Sequence, residues 1–220
     1  MPLTQQQIDT LEDSIIGYAF PAIYFDFVKN TQINAGNMRA LENAIFKMLI
    51  SPHQQKTLHG LANIIYWGNA NAGYQQYRVN RFLNGVTTHQ IKQFQGMIVN
   101  GNIPTLRQIK NLRMPQYSGI SFISKIVAFL NPAQFCVLDL LLARLGNVPG
   151  TKAIHSLSFT TQVGITANNS ASYCQWCSEC QAISNQYYNG QYRVVDVERG
   201  FFNLIQNGHL AAAQVIYNAA

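Results

Sequence analysis

Charge is scarce in this 220-residue chain. Lys and Arg number 15 and Asp and Glu 9, so charged residues make up 11%, against about 25% in ordinary soluble domains. The surface must therefore lean on uncharged polar groups, which the many Gln and Asn residues supply. Negative charge is missing altogether from Asn43 to Leu138, where nine bases (Lys47, Lys56, Arg78, Arg81, Lys92, Arg107, Lys110, Arg113 and Lys125) stand without a single acid. Met1–Glu42 holds five acids and two bases, and the chain from Asp139 onward holds four of each, so the middle segment alone carries the net +6. A stretch of one sign sets up a field that attracts polyanions. A basic surface kept for solubility is the plainer reading, and the lack of any compensating acid speaks against it.

Long apolar runs are absent too. A membrane-spanning helix needs about 20 consecutive apolar residues, and the nearest approach, Ile15 to Val28, is interrupted by Pro21 and Asp26. The first residues lack the basic-then-apolar pattern of a secretory leader, so a cytoplasmic location without membrane contact is expected. Cysteine is limited to Cys136, Cys174, Cys177 and Cys180. The triplet Cys174, Cys177, Cys180 has cluster-like spacing, but a fourth thiolate would have to come from distant Cys136 in an apolar run, and no His stands nearby to complete a zinc set. The same i, i+3, i+6 spacing suits one side of an ordinary helix. Reduced, structural thiols are expected, with no metal and no cofactor.

What the sequence does have is hydrophobic residues, 48% of the total, and helical periodicity nearly throughout. An all-α fold is expected, as one domain over 1–220 with two helical lobes around a cleft. Thr4 with Gln7, and Thr87 with Gln90, have capping-box spacing. Helices are expected over 38–50, 58–67, 105–112, 170–188, 196–206 and 210–217. A polar, Tyr-rich passage (Tyr74, Tyr77, Arg78, Arg81) follows the second of these, and 146–169 reads as a long surface loop or linker.

The most informative stretch is 114–130, a turn with Pro115 and Gly119 followed by a strongly apolar helix. With a short basic helix before it, this is a helical hairpin. On a wheel at about 100° per residue, Phe122, Ile123, Ile126, Val127, Phe129 and Leu130 share an arc of roughly 160°, with Ser124 and Ala128 opposite. Lys125 falls at the edge of that arc, its stem against the core and its amine at a margin, a setting that favours a neutral, nucleophilic amine. Asp139 follows inside another apolar run, and either caps a helix or serves as a buried functional acid; one carboxylate can do both.

The order Ser118-Gly-Ile-Ser-Phe-Ile-Ser-Lys125-Ile-Val-Ala-Phe-Leu, then Val137-Leu-Asp139, resembles the helix-hairpin-helix DNA glycosylases, closest to bacterial proteins similar to 8-oxoguanine DNA glycosylase. Tyr66-Trp67 and Tyr192 to Glu198 add weaker support. The resemblance covers about residues 55–145. Within it, Ser118 and Ser121 stand where the family pattern has Pro and Gly, and Lys125 comes two residues later than the family's lysine. The resemblance implies DNA as partner and base excision as activity, with or without strand cleavage. Lys125 is then the nucleophile and Asp139 the carboxylate that steadies positive charge on the sugar. Gly119 and Ser121 at the hairpin, with Arg107, Lys110, Arg113, Arg78 and Arg81, would hold phosphates. Tyr66, Trp67, Tyr74 and Tyr77 would stack on bases or fill the gap left by an extruded one; core packing is the alternative role for each. A non-catalytic DNA-binding module and a protein-interaction domain meeting an acidic partner are the competing readings, and no obligate protein partner is evident.

Overall fold

Three threonines set helix starts by the same exchange of hydrogen bonds. Thr4, Thr87 and Thr105 each accept from the backbone three residues on, while Gln7, Gln90 and Gln108 reach back to the threonine N–H at 2.9, 2.8 and 2.8 Å. Each such cap contributes about 1 kcal/mol. The computed structural model describes residues 2–220. Its elements in chain order are α1 (Gln5–Ile16), β1 (Ile23–Asp26), β2 (Thr31–Asn34), α2 (Met38–Leu49), α3 (Gln54–Gly68), α4 (Gln75–Gly85), α5 (Thr88–Ile98), α6 (Leu106–Asn111), α7 (Ile120–Leu130), α8 (Leu140–Ala143), α9 (Ala167–Tyr188), α10 (Val194–Gln206) and α11 (Leu210–Ala219). The fold is mostly helical. It is not purely so, because β1 and β2 pair antiparallel from Ile23–Asn34 to Asp26–Thr31.

The chain divides into two units, one continuous over Phe20–Leu130 and one built from residues 2–19 with Asn131–Ala220. In the continuous unit the hairpin turns on Asp26, whose Oδ1 accepts from the N–H groups of Val28 and Lys29 at 2.9 and 3.0 Å, with Asn30 left-handed at φ 52°. Four-residue strands are too short to stand alone. A side chain of α3 holds β1 in place: buried Asn63 accepts from Phe25 N–H at 2.6 Å and donates to its carbonyl at 3.1 Å. The polar, Tyr-rich passage is itself mostly helical, as α4. Only Val79 and Phe82 of that helix are buried, so its apolar stripe is too thin to read as periodicity.

The hairpin connection 112–119 is pinned from three sides. Gln90 donates to the carbonyls of Leu112 and Arg113 at 2.8 and 3.1 Å, the buried Tyr117 hydroxyl donates to Leu61 O at 2.6 Å, and Pro115 packs against Gly85. The left-handed residues here are Arg113 (φ 54°) and Gln116 (φ 70°), and Gly119 is not among them. The helix that follows corrects the wheel. Ser124 and Ala128, expected on an open face, are buried with the rest of α7 from Ile123 on. Both are small enough to let neighbours close in, and the Ser124 hydroxyl donates to Ser121 O at 3.3 Å.

In the discontinuous unit α1 lies against α10 at Gly200, where an added Cβ would come 2.6 Å from Ile15 Cγ1 and 2.9 Å from Leu11 Cδ1. Ser14 donates to Gly200 O at 2.9 Å across the same contact. Residues 146–169 are more ordered than a linker: Ala153, Ile154, Val163 and Ile165 are buried, and Asn169 of α9 bonds both backbone groups of Ser158. No helix among the described residues is long and apolar enough to cross a membrane.

Candidate functional site

Positive charge belongs to the continuous unit. Phe20–Leu130 carries eleven Lys and Arg against Asp26 and Glu42, while the other unit carries seven acids against four bases. Arg107, Lys110, Arg113, Arg81, Lys92, Lys47 and Lys56 are all exposed. Arg107 and Lys110 sit three apart on α6, hence on one edge of that helix, and Arg113 follows at the turn.

Lys125 lies on α7 in this unit and is only 6% exposed. Its amine folds back along the helix to the first turn, donating to Ser121 O at 3.1 Å and reaching Ser121 Oγ at 3.5 Å. The same amine stands 5.2 Å from the Phe122 ring centroid. Gly68, the last residue of α3, makes room for the stem, since a Cβ there would come 3.2 Å from both Cδ and Cε of Lys125. A lysine this deeply buried is unusual, and buried ionisable groups gather at functional sites. Ser121 spends its carbonyl on that lysine, and Gly119 O accepts from Ile123 N–H at 3.4 Å.

Phe122 touches a second cation. The Arg78 guanidinium lies 5.2 Å from its centroid on one side and 5.5 Å from that of Tyr74 on the other. Arg78 also donates to Asn69 Oδ1 at 3.1 Å, and Asn69 is itself held by a 2.7 Å bond to Ile65 O. Tyr74, Arg78, Phe122 and Lys125 thus form an alternating row of aromatic rings and cations. Arg81 repeats the motif over Tyr77 at 5.8 Å. Tyr74 and Tyr77 are 54% and 61% exposed. The other two aromatics singled out in the sequence lie in the core. Tyr66 is buried, its hydroxyl bonded to Gln32 at 2.7 Å. Trp67 meets Phe20 and Phe129 edge-on at 5.3 and 5.1 Å, and its buried indole N–H has no acceptor among the described residues.

Asp139 belongs to the discontinuous unit and is half-buried. Its Oδ1 accepts from Leu141 and Leu142 N–H at 3.0 and 3.1 Å, which is the N-cap of α8 and leaves Oδ2 outside the cap. The backbone leading to it is fixed on both edges: the Tyr173 hydroxyl donates to Cys136 O at 2.9 Å, Trp176 Nε1 to Val137 O at 3.1 Å, and Val137 N–H to Glu198 at 3.4 Å. Around it the sequence reading missed Tyr18, Glu198 and Arg199. Burial pushes the Tyr18 phenol far up; the Arg199 charge opposes this, and the Glu198 and Asp139 carboxylates add to it, so Tyr18 stays neutral. Arg199, itself buried, lies 5.4 Å from the Tyr18 ring. The available signal was a charged pair, Glu198-Arg199, set between apolar Val197 and Phe201 on α10.

Three of the four cysteines lie close together in the core. Cys136 Sγ lies 3.7 Å from Cys177 Sγ, Cys177 and Cys180 are buried, and Cys174 is exposed. Burial holds Cys136 well above the ordinary thiol range and Cys180 at about 11, so these sulfurs stay protonated. No group of three or more His, Cys, Asp or Glu among the described residues could hold a metal ion. No protein-family profile matches the chain, and neither a curated protein nor a solved structure does.

Proposed function

We propose that this protein binds DNA through its basic, continuous unit and excises a damaged or modified base, with Lys125 as the amine nucleophile. The observation that carries this reading is the Lys125 amine, buried yet turned back to the first turn of α7 within a unit holding eleven bases and two acids. Helix first turns present N–H groups that no intrahelical carbonyl takes, which suits a backbone phosphate. Arg107, Lys110 and Arg113 are exposed cations of the same unit, the residue types that meet neighbouring phosphates.

In the proposed reaction the neutral amine adds its lone pair to the sugar C1′ while the glycosidic bond breaks and the base leaves with that electron pair, taking up a proton. Loss of the amine proton and opening of the ring give a Schiff base. Loss of a C2′ proton then expels the 3′ phosphate, and water releases the enzyme. Steadying positive charge on the sugar is the role that the resemblance assigns to Asp139. Binding without chemistry is the second reading, favoured by the Lys125 amine's bonds within its own helix.

Borohydride trapping decides between them. Incubation with DNA containing 8-oxoguanine, or an abasic site, should give a covalent adduct that is lost in Lys125→Ala. Absence of adduct and of base release across a panel of lesions would leave DNA binding alone.

A further inference from the structure

The face of α4 that the protein core does not use has a chemistry of its own. Residues 74, 77, 78 and 81 follow i, i+3, i+4, i+7 spacing and so share one side of the helix, while Val79 and Phe82 face inward. That side consists of two exposed tyrosines, each backed by an arginine four residues later, with guanidinium-to-ring distances of 5.5 and 5.8 Å. Arg78 is fixed as well as stacked, through Asn69 and Phe122. An exposed aromatic held by a cation costs little to order further when a second flat group lands on it.

We propose that the Tyr74–Tyr77 face of α4 is a stacking platform for an unpaired nucleic-acid strand, its bases lying on the two rings and its phosphates meeting Arg78 and Arg81. Stacked bases in a duplex present no open face, so the ligand class is single-stranded or locally unpaired. Charge complementarity selects this occupant: Phe20–Leu130 has only two acids, and neither lies on α4. The platform rests on the nucleic-acid reading above and narrows it, because the row Tyr74–Arg78–Phe122–Lys125 runs from this surface to the buried amine.

The test compares two ligands of equal length and charge, an oligothymidylate and a deoxyribose-phosphate chain without bases, by fluorescence anisotropy with the full chain. Oligothymidylate should bind more tightly. Tyr74→Ala and Tyr77→Ala should each weaken it by about tenfold and leave the base-free chain unchanged, while Tyr74→Phe and Tyr77→Phe should retain the preference. Both positions are exposed, and circular dichroism would verify that the variants fold. Equal binding of the two ligands by the wild type, or of oligothymidylate by the alanine variants and wild type, would overturn the platform. So would polyglutamate binding as strongly as oligothymidylate, which would mark the face as a site for an acidic protein. Trapping of the Lys125 adduct is read separately, so a platform without catalysis and catalysis without a platform give different results.

Discussion

The Arg78 guanidinium and the Phe122 ring, 5.2 Å apart, tie α4 to α7. The contact puts a fixed positive charge beside the residue that also contacts the Lys125 amine. Arg78 is half-buried and therefore partly stripped of water, where a cation–ring contact is stronger than on an open surface.

Replacing Arg78 should thus act on binding more than a rim charge would. Arg78→Gln removes one cation of the proposed nucleic-acid face and frees the Asn69 side-chain carbonyl that it occupies. The expected result is weaker DNA binding with a salt dependence lowered by about one unit of slope in log K against log salt. Anisotropy titrations at several salt concentrations measure both. An unchanged slope would show that Arg78 meets no phosphate.

Gly68 offers a way to move Lys125 without removing it. A side chain at this position would press on Phe122 Cε1 at 3.0 Å and on the lysine stem at 3.2 Å. Gly68→Val should displace the amine at a stability cost of about 1–3 kcal/mol. The borohydride adduct should fall on the order of 100-fold while affinity for undamaged DNA stays near that of the wild type. Undiminished trapping would mean that the amine's position in α7 does not govern the chemistry.

Asn63 carries the β-hairpin. Both hydrogen bonds to the Phe25 backbone depend on its amide, which is fully buried. Asn63→Leu keeps the branched shape but strands the N–H and the carbonyl of Phe25, so stability should fall by about 1–3 kcal/mol. Urea unfolding followed by circular dichroism gives the value. A loss well below that range would show that water replaces the amide.

The hairpin also shows where sequence reading stops. Thr4, Thr87 and Asp139 were legible as caps because a cap is a local contract between residues two or three apart. β1 was not, because the side chain that holds it in place is Asn63, 38 residues from Phe25. α4 was hidden by its composition, with two buried residues and a face of Tyr, Arg and Gln. Lys125 was placed at an arc edge because a wheel treats a helix as having one wet side, whereas α7 has none from Ile123 onward. The alternating row from Tyr74 to Lys125 depends on α4 meeting α7, which no local pattern encodes. Asn69, which orients Arg78, gave no signal beyond ending a helix.

The discontinuous unit should lose stability in acid through one identifiable group. Burial works against ionised Asp196, but the Arg193 hydrogen bonds at 2.7 and 2.8 Å and the charges of Arg193 and Arg199 outweigh it, so its carboxyl is held below the usual range. A carboxyl with a depressed folded value favours the folded state while ionised. Its contribution is therefore complete above the unfolded value near 3.8 and is lost as pH falls through the folded one. Asp196→Asn should lower Tm at neutral pH. The gap between variant and wild type should begin to close as pH drops below about 4, where the unfolded carboxyl takes up its proton, and go on closing until the folded one is protonated too. A pH series of thermal melts tests this, and a gap that stays constant into acid would show that the Arg193–Asp196 pair adds no charge-dependent stability. The same titration should leave the α1–α10 contact at Gly200 in place, because that contact is made by Ile15, Leu11 and Ser14, none of which ionises.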